Sequence, residues 1–190
     1  MPADTDSGNP APLGLVGFGL TTVLLSSVNA GVFGSAAVAL PLGLAFGGTI
    51  QFVAGVFEYR EGNTFGMTAF CSYGAFWWWF ALLEIFAAND ILSVGGSTVG
   101  FALLLWALFT LYMWISTFKL NWALWSVFLT LWITFALLGL GELGYGTSAL
   151  GGWIGMLCGL LAMYTSFAEV TNWAWDRVVV PVGSAPLGDD

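Results

Sequence analysis

Hydrophobic residues run along this chain in six long blocks separated by short polar breaks. The blocks are Leu13–Gly34, Val38–Phe57, Thr68–Phe86, Val99–Thr117, Trp122–Leu140 and Leu150–Val170. Each approaches the roughly 20 apolar residues a helix needs to cross the hydrocarbon core. None alternates strictly between apolar and polar positions, as membrane barrel strands do, and backbone groups in lipid must pair internally. The pattern therefore predicts an all-α membrane protein, a six-transmembrane-helix bundle. Short connections predict one compact unit. Residues 1–12 form a cytoplasmic N-terminal segment, 13–172 the transmembrane domain and 173–190 a cytoplasmic C-terminal tail.

Charge placement sets the expected orientation. Arg60, Lys119 and Arg177 are the only basic residues, and they follow blocks two, four and six. The opposite side receives Glu84, Asp90 and Glu142 and no Lys or Arg. The positive-inside rule then puts both termini in the cytoplasm and the protein in the cell membrane as a multi-pass chain.

Composition sharpens the class. Of 190 residues, 58% are hydrophobic and only 7% charged, too much apolar surface for a soluble fold of this size to hide. The lipid bilayer is the expected surrounding. Net charge is -8, which argues against nucleic-acid binding, and the terminal Asp4, Asp6, Asp189 and Asp190 read as solvated ends. There is no histidine, so the usual zinc sites and His-ligated haem are excluded, and no metal or cofactor is expected. Cys71 and Cys158 fall in apolar blocks and read as buried small hydrophobes. The N-terminus has neither a basic n-region nor a short h-region, which argues against a cleaved signal peptide. Gly151, Gly155 and Gly159, and likewise Gly43 and Gly47, recur at four-residue spacing and predict close helix contacts, within the bundle or between subunits.

No charged residue sits in the middle of a block. Glu58 and Glu169 lie near the cytoplasmic block ends and Glu84 and Glu142 near the outer ones; Glu58 and Glu169 read as structural charges, with service at the inner mouth as the alternative. The interior polarity is neutral: Thr21, Thr22, Ser26, Ser27 and Asn29 on the first block, Gln51 on the second, Ser72 and Tyr73 on the third. Asn29 and Gln51 suit hydrogen bonds across helices as well as a wet path. The first block packs five polar residues into nine positions, which suits a helix lining such a path.

The run Asn9-Pro10-Ala11-Pro12-Leu13-Gly14-Leu15 precedes the first block. Two prolines break the backbone there, and the helix that follows points its free N–H groups and dipole back at the motif. Such an N-terminus suits a carboxylate ligand. An N-cap at Asn9 is the plainer alternative.

The run continues as NPAPLGL-x-G-F through Phe18. With it stand Gly47-Gly48-x-x-Gln51, Ala54-Gly55, Glu58-Tyr59, Gly62-Asn63-Thr64-Phe65-Gly66, Thr68-Ala69-Phe70, Ser72-Tyr73-Gly74, Phe76-Trp77, Gly152-Trp153-Ile154-Gly155 and Glu169-Val170. On these residues the chain resembles the acetate uptake transporter family of succinate–acetate permeases. The resemblance implies a urea-channel-like architecture, a homo-hexamer and a separate path in each protomer. It implies an apolar constriction at the positions of Phe18, Tyr73 and Leu131, and a link between Ala162 and substrate size. Acetate, and succinate as a second candidate, are the implied substrates. The aromatic run Trp77-Trp78-Trp79 is heavier than the family pattern.

The function expected is passage of acetate, as an anion channel or with a proton. Asn9, Asn29, Gln51 and Tyr73 are the candidate polar contacts, and Phe18, Leu131 and Ala162 the apolar ones. One rival is a channel for urea or ammonia; another is a membrane sensor or subunit that transports nothing. An enzyme is disfavoured, because the blocks hold no paired carboxylates and no activated nucleophile.

Overall fold

A computed structural model describes residues 8–188; Asp4, Asp6, Asp189 and Asp190 lie outside them. Six helices are long and apolar enough to cross a membrane: α1 Ala11–Asn29, α2 Ala39–Arg60, α3 Thr64–Ala88, α4 Gly96–Thr117, α5 Trp122–Tyr145 and α6 Ser148–Ala174. They match the six predicted blocks, with ends moved by a few residues. No strand occurs among the described residues.

The helix ends follow from local chemistry. Gly31 and Gly62, with φ of 78° and 72°, close α1 and α2. At these ends Val32 N–H reaches Ser27 O at 2.9 Å and Asn63 N–H reaches Glu58 O at 3.0 Å. This is the left-handed closure in which a residue without a Cβ avoids strain. Asn63 and Asn121 then start α3 and α5, their side chains accepting from Gly66 N–H at 3.0 Å and Leu124 N–H at 2.8 Å.

Helix α1 packs on α6 and α2, α2 on α3, α6 on α5, and α5 on α4. Aromatic contacts between α3 and α4 close this arc: the Tyr73 ring lies 6.0 Å from Trp106 and 5.4 Å from Phe109. The closest crossing uses the predicted glycines. A Cβ on Gly19 would lie 2.7 Å from the Gly159 carbonyl oxygen, and one on Gly159 would lie 2.7 Å from the Gly19 oxygen. Gly151 faces Leu137 and Leu138, and Gly155 faces Ser26 and Thr134, so this stripe serves contacts inside the bundle.

Helix α2 is π-helical over Gly43–Ile50. There the Leu44 carbonyl accepts from Thr49 Oγ1 at 2.9 Å and from the Trp78 indole at 3.3 Å. Gly47 makes room for Trp77: a Cβ would come within 2.8 Å of the ring and of Thr21 Oγ1. The heavy aromatic run thus fits into a notch that α2 provides. Such π turns gather near functional positions, and this one ends at Gln51.

The start of α1 and the end of α6 meet at one end of the bundle, where Asn9 donates to Glu169 at 2.8 Å. At the same end the C-terminal segment folds back. Val182 O and Ser184 O accept from Ala123 N–H at 2.9 Å and Trp122 N–H at 3.1 Å, and Tyr164 donates to Pro181 O at 2.6 Å. The predicted tail is therefore a strap that satisfies the first amides of α5.

Candidate functional site

Phe18 of α1, Tyr73 of α3 and Leu131 of α5 are all buried and come together inside the arc. The Phe18 and Tyr73 rings are 5.9 Å apart. Phe18 and Leu131 each line two separate cavities, one on either side of them. They form the apolar neck between these spaces.

The inner cavity, of about 60 Å³, lies toward the end where α1 starts and Glu169 of α6 lies. A water needs roughly 10–15 Å³ in this measure, so several fit. Its wall is mainly apolar, including Leu15, Phe65, Ala69 and Phe128, with four polar residues: Gln51, Glu58, Asn63 and Glu169. Gln51 is fully buried, and neither its Nε2 nor its Oε1 has a hydrogen-bond partner. Glu58 is 2% exposed; Asn63 Nδ2 donates to its Oε2 at 2.7 Å, and its Oε1 has no partner. A buried polar atom left without a partner costs about 1–3 kcal/mol, so two such side chains in one cavity point to a guest.

Beyond the neck an outer cavity of about 40 Å³ is lined by Thr22, Leu25, Ser26, Asn29, Phe76 and Thr134, among others. It shares Leu25, Asn29, Phe76, Phe135 and Leu138 with a wider vestibule of about 460 Å³, whose wall also carries Glu84 and Glu142. A series of neighbouring spaces, divided at the neck, thus runs from Glu58 and Glu169 to Glu84 and Glu142. Among the described residues no Lys or Arg lines any of these spaces.

The structure brings most of the candidate residues to this series. Gln51 and Tyr73 line the inner cavity, Asn29 the outer one, and Phe18 and Leu131 both. Gln51 makes no bond across helices. Tyr73 donates its hydroxyl proton to Thr110 Oγ1 at 2.9 Å, and Thr110 in turn donates to Trp106 O at 2.8 Å. Its ring borders the cavity while its O–H is spent on α4. Ala162 is fully buried and lines neither cavity, so it touches the path only through the packing of α6.

Asn9 takes the plainer of its two expected roles at the start of α1. Its Oδ1 accepts from Ala11 N–H at 3.0 Å, and its Nδ2 donates to Glu169. Leu13 and Gly14 N–H both reach Pro10 O, at 3.1 and 3.2 Å, and the two prolines have no N–H. The helix start therefore offers no open amide among these residues. The carboxylate held beside it is the protein's own, Glu169. Ser166 fixes the same corner by donating to Pro12 O at 2.7 Å.

Glu58 and Glu169, read from the sequence as structural end charges or as residues of the inner mouth, both line the inner cavity. The available signal was spacing: Glu58 is seven residues after Gln51, two helical turns, hence on the same face.

The chain is similar to known proteins over nearly its whole length. Residues 1–186 match the GPR1/FUN34/yaaH family. The "Succinate-acetate/proton symporter SatP" of Escherichia coli (strain K12) is 41% identical over 186 residues, covering 96% of this chain and 98% of that protein. The "Ammonia transport outward protein 2" of Saccharomyces cerevisiae is 37% identical over 195 residues, covering 95% of this chain and 68% of that one. Among solved structures, the bacterial acetate channel SatP matches with a TM-score of 0.91 at 40% identity, over 94% of this chain and all of that one.

Proposed function

This chain belongs to the GPR1/FUN34/yaaH family, and on that premise we propose that it carries acetate, with succinate as a second substrate, across the cytoplasmic membrane. The single observation that carries the proposal is the pair of cavities meeting at Phe18 and Leu131, with the unpartnered Gln51 amide on the inner side. Acetate has one methyl group and one carboxylate. The apolar neck accepts the methyl, and the Gln51 N–H donates to an oxygen. No guanidinium clamps the anion, so binding is weak enough for release, as conduction requires.

A bare anion on this path meets carboxylate side chains at both ends and no cation. Like charges repel more strongly where water is scarce. Acetate therefore crosses with a proton, which accords with the name of the bacterial relative. Arg60 ends α2, and Lys119 and Arg177 follow α4 and α6, so the end where α1 starts and α6 finishes is assigned to the cytoplasm. The family resemblance adds a hexamer with one path per protomer.

The test is labelled acetate uptake into proteoliposomes of the purified protein. An inward proton gradient at zero membrane potential should drive uptake, and a potential at equal pH should not. Uptake that follows the potential would make the anion the moving species. A second reading, passage of ammonia or urea, draws on the same lack of cationic lining and on the name of the yeast relative. Flux of ammonia without acetate in the same vesicles would select it.

A further inference from the structure

Glu58 is not merely a buried charge near a helix end. Its carboxyl group sits in a built cradle. Asn63 donates to Oε2 at 2.7 Å, and the same Asn63 side chain accepts from Gly66 N–H at 3.0 Å, so starting α3 and holding Glu58 are one arrangement. Gly66 supplies the space: a Cβ there would meet Glu58 Cδ at 2.6 Å and Asn63 Nδ2 at 2.7 Å. With Oε2 held by Asn63, Oε1 has no partner, and Glu58 belongs to the cavity lining. Gln51 lies two turns earlier on the same face, roughly 10 Å along the axis. The lining of the inner cavity thus contains one unpartnered amide and one unpartnered carboxyl oxygen, both buried.

We propose that Glu58 is a substrate contact: its Oε1 hydrogen-bonds the carboxylate of the transported acid, and the one transported proton is held between those two oxygens. A carboxylate arriving beside Glu58 makes two acidic groups in one small space. Two such groups at hydrogen-bond distance share one proton and titrate as a pair. One proton enters with one acetate and one leaves with it, so the step balances without any other reactant. Asn63 and Gly66 are positioning residues for this contact.

The charged and titratable surroundings are few. Glu169 of α6 and Glu61 in the turn after α2 are the acidic neighbours. The Arg60 guanidinium lies 5.6 Å over the Phe57 ring. Tyr73 of α3, in the same cavity, gives its proton to Thr110. Helix α1 contributes no titratable side chain.

The inference rests on acetate using this path, so the experiment separates the two. Infrared difference spectra are recorded on the purified protein as acetate is added, with carbon-13 acetate to shift the ligand's bands away from the protein's. Flux is measured in parallel at a series of equal inside and outside pH values. In the wild-type protein, acetate should perturb the C=O stretch of a protonated protein carboxyl. Glu58→Gln should lose that band while still binding acetate, and the decline of its uptake with rising pH should flatten to that set by acetic acid itself. A band that persists in Glu58→Gln, or an unchanged pH profile, overturns the role of Glu58. Should Glu58→Gln fail to fold, Glu58→Asp keeps the acid but draws it back by one methylene. Its band should shift in frequency, and an unshifted band overturns the contact. Wild-type vesicles that pass ammonia but no acetate would sink the transport reading itself, and this contact with it.

Discussion

The inner and outer cavities flank one neck and have similar volumes, yet they treat their polar groups differently. In the inner cavity the Gln51 amide and Glu58 Oε1 are left bare, although both side chains are deeply buried. In the outer cavity Thr134 returns its hydroxyl to Thr130 O at 2.8 Å. A hydroxyl on a helix can satisfy itself against its own backbone, whereas an amide or carboxyl at the end of a longer side chain reaches into the space beside it. The inner cavity therefore keeps unmet hydrogen-bonding capacity for a guest. The outer one carries short hydroxyls at Thr22, Ser26 and Thr134, with Asn29 where it borders the vestibule.

Gln51→Leu is the strongest way to break this contrast. It removes a bond to a charged oxygen, worth about 1.5–3 kcal/mol, so uptake should fall about tenfold or more. It also removes two buried atoms that lack partners, so thermal unfolding in detergent should show a gain of about 1–2 kcal/mol. Loss of activity with gain of stability would mark Gln51 as a ligand contact. Loss of both would make it a structural residue.

Leu131→Ala acts on the neck that separates the two regions. Removing a buried Leu side chain costs about 2–5 kcal/mol, and the low end applies where cavities already flank the site. The two spaces should merge, and larger monocarboxylates such as lactate should enter. Lactate still excluded at full expression would mean that Leu131 does not set the width. Tyr73→Phe should do less. It keeps the ring and deletes the bond to Thr110, costing about 1 kcal/mol of stability, and uptake should change less than about twofold. A large loss of uptake would show that the hydroxyl leaves Thr110 to meet the substrate.

Much of the fold was legible because lipid imposes it. A block of apolar residues has one way to cross a bilayer, so the pattern alone located six helices. The neck was reached through resemblance, since nothing in the spacing of Phe18, Tyr73 and Leu131 says that three different helices meet there. Gln51 was visible as a polar residue in an apolar block, but a bond across helices and a bare amide look identical in sequence. The burial of Glu58 was not legible, because a charge at a span end is commonly solvated. What buries it is a glycine eight residues later and an asparagine on the next helix. Asn9 was seen as either a cap or an anion site. It turns out to bond Ala11 N–H and to grip Glu169, a partner 160 residues away. The C-terminal strap was invisible, because its acceptors are the backbone carbonyls of Pro181, Val182 and Ser184, which carry no side-chain signature.

The smallest expected effect probes the weak point of the contrast. The outer cavity does keep bare polar atoms, Thr22 Oγ1 and the Trp77 indole nitrogen, both buried without a partner. Thr22→Val preserves the branched shape and deletes only that hydroxyl. If the outer cavity is a passage, the deletion removes a desolvation cost and no useful bond. Stability should then rise by up to about 1 kcal/mol, and acetate uptake should stay within about twofold of wild type. The size of the departure from Gln51→Leu is what matters. Both substitutions remove an unpartnered buried group from the wall of the same path, one on each side of the neck. Equal losses of uptake would mean that substrate is held on both sides and that the neck merely divides one continuous site. A loss confined to Gln51→Leu would leave the inner cavity as the place where acetate pauses, with Thr22 only passed on the way.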